Sequence, residues 1–200
     1  MRWLEIFVRT MLGLVFGVFA VPWAVDLLVA TVRQLKTLPP QPIALGVGLA
    51  GGIAWWFWRR PNALLNTVIH ELCHTLLCVI LFVEVTKIEA SKHQGGSVEH
   101  TQVDPVRATF IALAPYTVPL LLGPALLARM ALNTGAWAEV LSAFVCFLFC
   151  THLQGLVINI RQNFWKADAD IPRVGHVLAL GMIITALLLI TAGTLRVLWR

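Results

Sequence analysis

Six long apolar blocks limit what this chain can fold into. They run from about Thr10 to Val32, Pro42 to Trp58, Ala63 to Val83, Ala108 to Arg129, Ala138 to Ile160 and Val174 to Leu198. An α-helix of ~20 residues spans a hydrocarbon core of about 30 Å. Inside lipid the backbone must satisfy its own polar groups, so such blocks form helices. Their residues are apolar in runs, without the amphipathic rhythm of a surface helix. The chain is 58% hydrophobic and 12% charged, whereas an average soluble chain is roughly 45–50% apolar and about 25% charged. The expectation is an all-α polytopic protein with about six transmembrane helices, multi-pass in the lipid bilayer.

The net charge of +5 does not indicate nucleic acid. Lys and Arg sit mainly at block ends, where headgroups and cytoplasmic loops favour them, and no basic stripe interleaves with aromatics. They divide almost evenly between the two sides of a six-span topology, so they fix no orientation. Seven of the eight Trp lie near block ends as interfacial anchors, with Trp23 the exception. Cys73, Cys78, Cys146 and Cys150 all lie in apolar blocks and read as small hydrophobes, not a disulfide framework. The first block follows Arg2 and Arg9 as a signal peptide would. It is too long and lacks a small-residue cleavage pattern, so it is expected to be retained.

Two N-terminal helices occupy residues 1–61, and a membrane core occupies 62–200. Asp26 lies near the far end of the first span. Gly46, Gly48, Gly51 and Gly52 suit the second to close helix packing. Arg59-Arg60-Pro61-Asn62 ends that span, and Asn62 can cap the next helix. Pro115, Pro119 and Pro124 predict a kinked or broken fourth span. Between the third and fourth spans the chain turns polar. There Val83 to Ile88 and Ser97 to Val103 are β-branched and partly alternating, with Gly95-Gly96 between them, where a positive φ is affordable. This predicts a β-hairpin at the membrane surface within residues 84–105.

The third span holds His70-Glu71-Leu72-Cys73-His74. Residues four apart project from one helix face, and two neutral imidazoles so placed can share a Zn²⁺ ion. Glu71 sits about 100° round the helix from His70, beside a metal held there and not on it. From that place a carboxylate can take a proton from a zinc-activated water and give it to a leaving amine. Location strengthens the pattern. An ionised acid inside an apolar span costs roughly 2.5–3.5 kcal/mol on insertion scales, so such residues face the protein interior and usually have a function. The competing reading is a polar helix–helix contact between His and Glu.

A catalytic zinc site takes a third protein ligand and keeps an open position. On the residues alone Asp168, Asp170, Asp26, Glu139 and His152 remain open. The Asp pair could equally be acids at a solvated helix N-terminus. His152, alone in the fifth span, suits a cross-helix hydrogen bond or support of a zinc ligand. His93, His100 and His176 lie in or beside polar segments and are expected to have no catalytic part.

The chain resembles the site-2 protease family of intramembrane zinc metallopeptidases, in the compact branch without a PDZ domain. The resemblance rests on His70-Glu71-Leu72-Cys73-His74 in a span and the Gly-Gly hairpin His93-Gln94-Gly95-Gly96-Ser97-Val98. It extends to the Pro-punctuated span beginning Leu113-Ala114-Pro115-Tyr116 and an Asp at a late span. It covers about Asn62 to Gly175, leaving the first two spans outside.

The resemblance implies metal ligands His70, His74 and Asp170, with Asp168 as the alternative, and Glu71 as catalytic base. Better-known members carry an Asn-Pro-rich motif ending in Leu-Asp-Gly around the third ligand. This chain departs from that motif, and only Asn163 upstream and Gly175 downstream are similar to it. The implied activity is zinc-dependent endoproteolysis of membrane-spanning substrates in a prokaryotic cell membrane. A substrate unwound to a strand would pair with the hairpin edge Val98 to Val103. Two other readings stay open. One is a membrane metallopeptidase with glutamate as third ligand, Glu139 being its candidate. The other is an inactive scaffold or binding protein of the same fold, against which the intact Glu71 argues.

Overall fold

The computed structural model describes residues 2–35, 39–58, 63–91 and 95–200. The Arg59–Asn62 stop and cap, and His93 and Gln94 of the hairpin, lie outside the described residues. The elements run α1 (Arg2–Gln34), α2 (Pro42–Trp58), α3 (Ala63–Ile80), β1 (Val85–Ser91), β2 (Gly95–His100), α4 (Pro105–Thr117), α5 (Leu122–Ala131), α6 (Gly135–Asn163), α7 (Asp170–Val174) and α8 (His176–Leu198).

Each apolar block became helix. Among the described residues α1, α3, α6 and α8 are long and apolar enough to cross a bilayer, and the bent pair of α4 and α5 makes up to five if counted as one span. The second block, α2, is a shorter apolar helix of 17 residues. The break in the fourth span follows the prolines. Helix α4 stops at Thr117, Pro119 lies in the gap, and the chain resumes helix at Leu122. The chain is an integral multi-pass membrane protein with a small hairpin.

Two compact units divide the chain. One comprises Met1–Gly17, Pro61–Val118 and Leu156–Ile183, the other Val18–Arg60, Pro119–Gly155 and Ile184–Arg200. The second unit packs Leu122, Ala125, Val145, Leu148 and Leu198 into one apolar cluster. Gly48 and Gly52 let α2 approach α6 closely; a Cβ on Gly52 would lie 2.5 Å from the Cys150 Cβ. The Arg129 guanidinium, buried here, donates to Ser142 Oγ at 2.8 Å and Gln41 Oε1 at 3.1 Å. Asp26 and Glu139 are exposed in this unit.

The first unit is built around α3. Cys78, Val83 and Ile111 form its buried cluster. Helix α3 ends in a tight reversal: Val83 N–H reaches Cys78 O at 2.8 Å and Phe82 N–H reaches Val79 O at 3.2 Å, with Phe82 left-handed at φ 56°. That turn sends the chain into the hairpin.

Strands β1 and β2 pair antiparallel from Ser91↔Gly95 to Val85↔His100, with a register irregularity between Val85 and Lys87. Strand β2 ends at His100, so the expected edge to Val103 is shorter than its sequence suggested. Gly96 lies inside β2 opposite Ala90 and is not among the positive-φ glycines. Its small size is therefore needed for another reason, which the site supplies.

Helix α1 joins this unit through its first turns. A Cβ on Gly13 would lie 2.5 Å from the Leu178 backbone nitrogen of α8. Only a bare backbone permits that approach.

Candidate metal centre

Helical spacing places His70 and His74 together on α3, with ring centroids 4.9 Å apart. Their third neighbour comes from far along the chain. Asp170 opens α7, and its Oδ2 lies 3.4 Å from His70 Nε2 and 3.7 Å from His74 Nε2. One donor atom from each of the three residues lies within 4.8 Å of the others. Three such donors gathered around one point are a set that fits Zn²⁺, with a coordination position to spare. Asp168 is exposed on the cavity lining and is not in the cluster. Nor are Asp26, Glu139 or His152.

His74 is held from behind. Its Nδ1 is 2.7 Å from the Ile111 carbonyl oxygen on α4. A carbonyl only accepts, so Nδ1 carries the proton and Nε2 keeps its lone pair for a ligand. Asp170 lies outside the spans. Burial pushes its pKa up, but the His70 hydrogen bond and the two imidazoles outweigh that and hold it below the usual carboxylate range. It is therefore a carboxylate at neutral pH.

Glu71 is buried at 5% exposure beside this cluster. Gly96 of β2 packs directly on it: a Cβ there would lie 2.5 Å from Glu71 Oε1 and 2.6 Å from its Cγ. The hairpin glycine thus leaves room for the glutamate side chain. Nearby, Asn66, one turn before His70, donates from Nδ2 to Asn159 Oδ1 at 3.0 Å and ties α3 to α6.

A cavity of about 510 Å³ opens on His70, Glu71, His74 and Asp170. Strand β2 lines it through Gly96, Ser97, Val98 and His100. Asn163, Lys166 and Arg173 line it from the α6–α7 region, and Arg9 from α1. Arg9 Nη1 also donates to the Arg173 carbonyl oxygen, three residues past Asp170.

Several of these contributions had no signal in the sequence. The Ile111 partner is a main-chain carbonyl, which any residue would supply. Arg9 looked like a flanking charge on a helix outside the resemblance, and His100, expected to have no catalytic part, lines the cavity. His176 instead bonds the Phe164 carbonyl oxygen through Nε2 at 2.8 Å. His152 has no partner at Nε2 among the described residues, so the expected cross-helix bond is not made by that atom.

Helices that span lipid, a His-Glu-x-x-His face inside one of them and a convergent distant Asp define a protein of the membrane metallopeptidase class. A model of the Peptidase M50B-like family matches residues 43–164, and the chain belongs to that family. This is a membrane metallopeptidase of the site-2 protease kind. No curated protein and no solved structure matches the chain. The family match stops short of Asp170 and leaves α1 outside, although both reach the cavity.

Proposed function

We propose that the chain is an intramembrane zinc endopeptidase that hydrolyses peptide bonds of membrane-spanning substrates. The observation carrying this reading is the convergence of His70, His74 and Asp170 beside buried Glu71 on one cavity. His70 Nε2, His74 Nε2 and Asp170 Oδ2 would hold the ion. Zinc bound there supplies a Lewis acid and lowers the pKa of a coordinated water toward about 7. Glu71 takes the proton of the attacking water and delivers it to the leaving amine. Its burial keeps bulk water away from that transfer.

A peptide bond inside a helix hides its amide, so a substrate must be unwound before it is cut. Strand β2 lies along the cavity and has only β1 as a strand partner among the described residues. A substrate strand laid against its other edge, within Gly95–His100, would run past the metal site.

The test is purified protein in vesicles with a single-span substrate. Wild type should bind one zinc and cleave. Glu71→Gln should keep zinc and lose cleavage by at least about 10²-fold. His70→Ala and Asp170→Asn should bind zinc at least about 10²-fold more weakly, and cleavage should fall with it. Full zinc in Asp170→Asn would remove the third ligand, and unchanged activity in Glu71→Gln would leave a scaffold.

A further inference from the structure

Tyr116 is among the most deeply buried large side chains, at 1% exposure. It lies in the last turn of α4, and its ring stands edge-on to His70, centroids 6.0 Å apart at 85°. Its hydroxyl sits beside the Asp170 carboxylate and the Asn163 carboxamide. With neither does it make a hydrogen bond of good geometry, and it is one of three buried side-chain polar atoms lacking a partner among the described residues.

A phenol in such a place needs a reason. Phenylalanine would fill the same volume and strand no polar atom, whereas an unsatisfied buried donor costs about 1–3 kcal/mol. The groups around it limit what could satisfy it. The His70 and His74 rings crowd toward one Asp170 oxygen, Oδ2. A carboxylate has a second oxygen, and a metal-binding carboxylate is commonly fixed by a hydrogen bond to it.

We infer that Tyr116 is a positioning residue for the third metal ligand, its hydroxyl donating to the Asp170 carboxylate when an ion is held among His70, His74 and Asp170. The inference rests on the metal-site reading above. It gives the buried hydroxyl an acceptor on the Asp170 carboxylate, whose Oδ2 is the oxygen the two imidazoles approach. It also assigns a role to α4, whose Ile111 carbonyl fixes His74 while Tyr116, further along the helix, fixes Asp170.

The experiment is zinc competition against a chromophoric chelator, with thermal unfolding of the metal-free protein alongside. Both use the full chain in detergent. Tyr116→Phe should weaken zinc binding about 10- to 100-fold. The same change should leave the metal-free unfolding midpoint unchanged or raised, because it removes only an unpaired group. In an Asp170→Asn background Tyr116→Phe should weaken zinc by less than about twofold, since the two changes act through one bond. Wild-type affinity in Tyr116→Phe overturns the inference, as does an equal loss in both backgrounds. A wild-type protein that binds no zinc overturns the metal-site reading too, so the two failures are distinct.

Discussion

At the residue scale, the site depends on the small size of one glycine as much as on its donors. Gly96 touches Glu71 where a Cβ would collide with its carboxylate and Cγ. The obstacle is a flexible side chain, so the glutamate would swing aside and the fold would survive. Gly96→Ala should therefore cut turnover by about 10-fold or more, on the scale of a misplaced catalytic group. Zinc content and the unfolding midpoint should stay near wild type. Equal turnover in wild type and Gly96→Ala would show that Glu71 needs no fixed place. Proximity on one helix made His70, Glu71 and His74 legible from spacing. Nothing local marks Gly96, because its constraint is a side chain on another element.

Elements carry the next level of control. Asp104 caps α4, its Oδ1 accepting from Val106 N–H at 3.0 Å and Arg107 N–H at 3.1 Å. The Arg107 backbone hydrogen bond leads in holding its pKa below the ordinary value. A depressed carboxylate stabilises the fold at every pH above its unfolded value, near about 3.9, and loses that contribution as pH falls through the folded value. Asp104→Ala should lower the unfolding midpoint at pH 7, and the gap should close on acidification below about pH 4. A gap that persists there would mean the cap is not electrostatic.

Helix α1 offers a second test at this scale. Gly13→Leu would drive a side chain into the α8 backbone at Leu178 and push α1 away. Since Arg9 on α1 bonds the carbonyl of Arg173 near Asp170, cleavage should fall. The loss should be matched by Arg9→Ala and not by Val18→Leu, whose site is exposed. Arg9 had looked like a flanking charge because a sequence shows the polarity of a block end and not what it reaches.

For the whole molecule, embedding and metal are coupled through three-dimensional placement. The metal ligands must be deprotonated to bind, so acidification competes with zinc. Chelator should abolish cleavage and added zinc restore it. The zinc dissociation constant should rise on acidification, because protons compete with the ion for the imidazoles. A pH-independent affinity would exclude histidine ligation. Carbonate washing should leave the protein with the membrane fraction, as its spans require.

Hydropathy by itself determined that the chain is a polytopic helical membrane protein, because lipid leaves a backbone no partner but itself. The prolines broke the fourth span, and the 3.6-residue period put two histidines and a glutamate on neighbouring faces of one helix. Tertiary structure alone decided which acid joins them. Asp168 and Asp170 are two residues apart and chemically identical, and only the short turn of α7 brings one carboxylate to the imidazoles and leaves the other exposed. It also decided that Gly96, Ile111, Arg9 and Tyr116 belong to the site. Their contributions are close approach, a main-chain carbonyl, reach and an unpaired hydroxyl, and each depends on the packing of elements distant in sequence.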